Sequence, residues 1–180
     1  RFEKVPNIWI GEVSWLKAAL LDDAETFVTE FGLRAFRRPL TEGEVDSYLA
    51  VFDTGAALSG SQSEYTKGAA LVIETMLQSP HFLYRTELGE AGTPLSGYEA
   101  AAKLSLYILR TTPSDELLDK AGRGELDSLD AVVAEAEAML DSEDAAETFH
   151  AFHTELFELH RFKGTTKSDP IFTEAVAEEL

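Results

Sequence analysis

Phe36-Arg37-Arg38-Pro39-Leu40-Thr41-Glu42-Gly43-Glu44 is the stretch on which the reading of the fold turns. Two arginines suit the carbonyl end of a helix, where the backbone dipoles leave a negative charge. Pro39 keeps the residue before it out of the helical region, so the helix stops there. Thr41 and Glu44 then spell a capping box. The Thr41 hydroxyl accepts the Glu44 N–H while the Glu44 carboxylate reaches back to the N–H of Thr41. One helix closes and the next opens within a few residues, which leaves no room for a strand between them. Upstream, Phe27, Phe31 and Ala35 recur at i, i+4 and i+8 beside Val28 and Phe36, on a helix that starts at Asp22 or Asp23. Downstream, Val45, Tyr48, Leu49 and Phe52 mark the apolar face of the following helix.

The same pattern runs along the rest of the chain. Residues 54–63 are rich in Gly, Ser and Ala and read as a flexible loop. A helix over 64–78 turns Ala69, Val72, Ile73, Met76 and Leu77 inward, and Ser79-Pro80 breaks it and opens a short turn with His81 and Phe82. Gly89, Gly92 and Pro94 make the best internal boundary, dividing the chain into modules over 1–90 and 91–180. Ser96 and Glu99 form a second capping box, ahead of a helix that buries Ala101, Leu104, Ser105 and Ile108. Pro113 stands at the first position of another helix, with Asp115 and Glu116 in its first turn and Gly122 and Gly124 at its end. Helices over 128–140 and 143–161 follow, the latter with Phe149, Phe152, Leu156 and Leu159 as a core-facing stripe. Trp9 and Trp15 are expected to anchor an irregular N-terminal arm. No segment alternates with a period of two. The expected fold is all-α, about seven or eight helices packed as two helical modules.

Composition narrows the function. The chain has 180 residues, 44% of them apolar and 27% charged, enough to bury a core without cross-links. It has no cysteine, which excludes a cysteine nucleophile, a thiolate metal site and covalent c-type haem attachment within this chain. Its 15 basic and 33 acidic residues give a net charge of −18, so no nucleic-acid partner is expected. No apolar run approaches the roughly 18 residues of a membrane span. Residues 1–111 hold 10 basic and 15 acidic residues, whereas residues 112–180 hold 5 and 18. The acidic half reads as a solvated face or as a docking face for a basic partner. Carboxylates spread singly along helices do not converge as calcium ligands must, so only weak cation binding is expected there. The chain starts at Arg1 and its last residues read as a helix in mid-pattern, as in a piece of something longer.

Three groups of motifs carry a family resemblance. The first is Ala35 to Thr41 with Glu44; the second is Leu77 to Arg85 with Glu87. The third is Leu95 to Glu99 with Lys103-Leu104-Ser105, Pro113 to Leu118 and Gly124-Glu125-Leu126. In that order they resemble the families called domain of unknown function 1595 and domain of unknown function 1592, over roughly residues 24–180. The resemblance implies a large exported protein of planctomycetes or myxobacteria, with a periplasmic or extracellular location and a c-type haem module elsewhere in the polypeptide. It implies redox or polysaccharide-related roles and supplies no catalytic residues. The chain departs from the family pattern at Lys103, Arg110 and Leu156, where an arginine and two tryptophans are usual.

The candidate functional residues follow from the motifs. Arg37, Arg38 and Arg85 suit a carboxylate-bearing ligand, because the guanidinium fork binds carboxylates through two hydrogen bonds. The competing reading, given more weight, is an ion pair with Glu87 or Glu99 that clamps one module to the other. His150 and His153 at i, i+3 are weak metal candidates, and they lack a glutamate between them such as zinc peptidases use. His81 is expected to bond locally in its turn. No catalytic residue and no cofactor in this chain is expected. The functional expectation is a helical scaffold or interaction module of a larger exported protein, associated with a c-type haem module. Its partners are other domains of the same polypeptide or a protein complex. Alternatives are a non-catalytic part of an enzyme acting on extracellular polysaccharide, or an acidic protein-binding module.

Overall fold

The computed structural model describes residues 23–85, 87 and 93–162. Trp9, Trp15, most of the boundary segment and the acidic C-terminal stretch lie outside the described residues. Those described are all-α, with eight α-helices, one π turn and one 3-10 turn. Each α-helix begins behind an Asp, Ser or Thr whose side-chain oxygen accepts an early backbone N–H. Those N–H groups have no partner inside the helix, so a short polar side chain at that position decides where the helix starts.

The first half holds α1 (Ala24–Phe36), α2 (Glu42–Ala56), α3 (Glu64–Leu77) and the single turn α4 (Pro80–Leu83). Asp23 caps α1, and Arg37 ends it in a left-handed conformation with φ 60°. Both arms of the Thr41–Glu44 capping box are present. The core is Phe27, Val28, Phe31, Phe36, Phe52, Val72 and Met76. Tyr65 sets its ring edge-on to both Phe27 and Phe52, at 6.2 and 5.3 Å between centroids.

Two glycines set the spacing of α2 and α3. A Cβ on Gly55 would lie 2.8 Å from the Lys67 carbonyl oxygen, and one on Gly68 would lie 2.8 Å from the Phe52 carbonyl oxygen. The backbones therefore touch. This corrects the expected loop over 54–63: α2 runs on through Gly55 to Ala56, because packing against α3 outweighs the poor helix propensity of glycine.

The second half holds α5 (Gly97–Leu104), a π turn (Ser105–Leu109), α6 (Asp115–Gly122), α7 (Leu129–Leu140), α8 (Glu143–Leu156) and a 3-10 turn (Leu159–Phe162). Its core is small: Ala101, Leu117, Ala121 and Leu126, with Tyr98, Val132 and Met139 packed on it. Three expectations change here. Pro113 precedes the helix rather than opening it, because Ser114 is the cap and accepts the Leu117 N–H. The long final helix stops at Leu156, where Phe157 caps it and Glu158 takes φ 51°. The expected core stripe on that helix faces outward: Phe149, Phe152 and Leu156 are 42%, 55% and 58% exposed. Only Ala145 of α8 is buried; it lies on the same stripe as Phe149, Phe152 and Leu156, at i, i+4, i+7 and i+11, and among the described residues that stripe is buried only at its first turn. Leu77 of α3, expected inward, is also exposed.

The halves are tied by charge. Arg34 of α1 donates from Nε and Nη2 to both carboxylate oxygens of Asp115 on α6, at 2.8 and 2.7 Å. The glycine contact yields a test. Gly68→Ala should lower stability by about 1–3 kcal/mol through overpacking, despite the better helix propensity of alanine. Gly43→Ala, with nothing within 4 Å of the new methyl, should leave stability unchanged or raise it slightly. Thermal denaturation of the two variants against the parent measures both signs.

Candidate functional site

A cleft of about 510 Å³ opens where the halves meet. One wall is the end of α1 and the turn after it, from Phe36 to Pro39, with His81 and Arg85 beside it. The other wall is α5 with Leu106 and Tyr107 of the π turn. Arg37, Arg38, Arg85, Glu87 and Glu99, the five residues singled out from sequence, all line this cleft, and each is engaged differently.

Arg37 reaches across to α4. Its Nη2 donates to the carbonyl oxygens of His81 at 2.7 Å and Tyr84 at 3.1 Å, and Nη1 to that of Phe82 at 3.4 Å. These carbonyls close a one-turn helix and have no intrahelical donor, so the guanidinium supplies what the backbone cannot. Burial, with the neighbouring charge of Arg85 added, pulls the Arg37 pKa below the usual arginine value. The side chain still carries its charge at neutral pH.

Arg38 forms a two-pronged fork on Glu44, Nη1 to Oε2 at 2.9 Å and Nη2 to Oε1 at 2.8 Å. The same carboxylate accepts the Thr41 N–H at 2.8 Å. The Arg38 bonds, aided by the Thr41 N–H, hold the Glu44 pKa down to about 2. The expectation that an arginine of this group pairs with Glu87 or Glu99 is corrected for Arg38, whose partner lies in its own half. The capping box has already fixed the Glu44 carboxylate beside the end of α1, so the nearest anion is local. Glu87 is taken by Lys103 Nζ at 2.7 Å, and Glu99 accepts the N–H and hydroxyl of Ser96.

Arg85 is different again. Its guanidinium carbon stands 5.7 Å from the centroid of the Tyr107 ring, a cation–π contact across the two walls. Among the described residues it has no carboxylate or carbonyl acceptor. Lys103 with Glu87 and Arg34 with Asp115 both join the first half to the second, and the Arg34 pair escaped the sequence reading. Its members lie 81 residues apart, and Asp115 looked like an ordinary first-turn acid.

The histidines do other work. The His81 ring packs 5.3 Å from Phe36, and its Nε2 lies 3.8 Å from Glu44 Oε1, beyond hydrogen-bond reach. His153 Nδ1 lies 2.7 Å from the Phe149 carbonyl oxygen, with its ring stacked on Phe157. His150 is exposed. Among the described residues no three His, Asp or Glu side chains gather as metal ligands would. No helix among them is long and apolar enough to cross a membrane.

Helix order, two separate cores and the cleft between them define an all-α protein of two joined helical units. Residues 23–87 match the family model described as PSD5, protein of unknown function (DUF1595). Residues 95–180 match PSD4, protein of unknown function (DUF1592), so the two family models match in tandem along the chain. No curated protein and no solved structure matches it.

The Glu44 site carries a pH signature. A carboxylate with a lowered folded pKa stabilises fully above its ordinary value of 4.5, and loses that share as the pH falls towards about 2. Glu44→Gln should cost about 1–3 kcal/mol near neutral pH. The gap between variant and parent should close as both are acidified through that window. Urea titrations followed by circular dichroism measure it; a gap independent of pH would assign the loss to cap geometry instead of charge.

Proposed function

We propose that the chain is a helical scaffold module that docks a protein partner through its α7–α8 face. The observation that carries this reading is the row Phe149, Phe152, Leu156 and Phe157, each at least 42% exposed on or just after one helix. Leu129, Val133 and Leu140 of α7 add to the exposed apolar surface. Scattered exposed leucines are ordinary, but several aromatic side chains on one helix mark a surface that is covered in use.

The same elements are acidic. Glu137, Asp141, Glu143, Asp144, Glu147, Glu155 and Glu158 are all exposed on them or between them. Their summed charge favours a basic partner and makes the encounter rate fall with salt. The same surface serves the scaffold reading and the acidic-module reading, so these two merge. The family resemblance makes a haem-bearing domain of the same exported polypeptide the first partner to test. With no cysteine here, covalent haem would belong to that partner.

The test uses hydrogen exchange on the chain alone and within the longer polypeptide that carries the haem domain. The α8 amides should exchange faster in the first and gain protection in the second. Phe152→Glu together with Leu156→Glu should remove the protection while changing the isolated chain's stability by less than about 1 kcal/mol, as surface substitutions do. Unfolding of the isolated double variant would show the row to be core, and equal exchange in both contexts would end the docking reading.

A further inference from the structure

We propose that the cleft between the two halves binds a small monocarboxylate on a ring-sized body, with the carboxylate on Arg85 and the body against Phe36, Leu106 and Tyr107. This site is separate from the α7–α8 face and does not depend on it.

The first argument is charge. Acids outnumber bases 33 to 15 in the chain, yet Arg37, Arg38, Arg85 and Lys103 line this cleft against Glu87 and Glu99, with Glu44 behind Arg38, so cations still exceed carboxylates here. A local excess of cations in a chain of net charge −18 draws an anion to that place and away from the rest of the surface.

The second argument is occupancy. Arg38 is committed to Glu44, Lys103 to Glu87, and Arg37 to three carbonyls. Arg85 alone of the four has, among the described residues, no acceptor for its five N–H donors. The Tyr107 face orients the guanidinium and leaves its N–H edge available. A planar fork with two parallel donors matches a carboxylate, and two such bonds fix the ligand's direction. Arg37 and Arg85 also repel one another, and a bound anion relieves that repulsion.

The third argument is the lining. Phe36 is buried at the floor, with Ala102 and Leu106 beside it and tyrosine rings at the sides. A bare inorganic anion would leave this apolar surface wet. Glu87 and Glu99 disfavour a second negative charge, which selects against phosphate and dicarboxylates. A volume of about 510 Å³ lies within the range of small-molecule pockets. The ring body is either a planar apolar acid or a uronic acid sugar; the carboxylate on a ring is common to both.

Benzoate and glucuronate are the probes, titrated into the full chain by calorimetry and by NMR of the Tyr and Arg side chains. One of the two should saturate with a Kd below about 1 mM, and which one does so identifies the body. Its uncharged counterpart, benzyl alcohol or methyl glucoside, should bind at least about tenfold more weakly, as loss of a charge-assisted pair requires. Arg85→Gln should weaken the acid by at least about tenfold while lowering the melting temperature by no more than a few degrees, since only an exposed cation–π contact is lost, and Arg85→Lys should restore part of the affinity. The proposal fails if neither acid saturates, if inorganic phosphate binds as tightly, or if Arg85→Gln binds as well as the parent.

Discussion

The guanidinium of Arg37 holds together what the rest of the first half builds. It sits where α1 ends, in a left-handed backbone with φ 60°. From there it reaches carbonyl oxygens 44 to 47 residues further along the chain. That bond set draws α4 onto α1, places His81 on Phe36 and delivers Arg85 to the mouth of the cleft. A lysine would offer one point charge in place of a fork, and the three carbonyls need donors in different directions. The cleft is therefore a consequence of how one helix ends.

Beside it, Glu44 shows how a single carboxylate serves two purposes. It completes the cap of α2 and neutralises Arg38. With Arg38 satisfied locally, Arg85 is left to face the other half through Tyr107. Among the described residues the halves meet through the Arg34–Asp115 fork, the Arg85–Tyr107 contact and Lys103 on Glu87 in the connecting segment. An interface of charges and one aromatic ring keeps a cleft open, where an apolar seam between the two cores would have closed it.

The second half is built on a different balance. Its buried residues are mostly alanines and leucines, and α8 gives only Ala145 to the interior. The large apolar residues of that helix remain outside. Their spacing at i, i+3 and i+7 reads as a core stripe because helical periodicity reports that one face is apolar. It does not report what lies against that face. The same pattern serves a buried helix and a docking helix.

Sequence alone determined the all-α class and most helix starts, because capping is a local contest. A Ser, Thr or Asp side chain either reaches a backbone N–H two or three residues on or it does not, and the Thr41 and Ser96 boxes were legible for that reason. It also brought the five cleft residues into view, since they sit in its most distinctive stretches. What it could not determine were the partners. Arg34 with Asp115, Lys103 with Glu87 and Arg85 with Tyr107 each depend on where whole helices lie. Gly55 reads as a loop residue by propensity and as a helix contact only once α3 lies against it. Local rules act over one turn of backbone, whereas ion pairing and backbone contact are decided by distances in space, which only the tertiary structure sets.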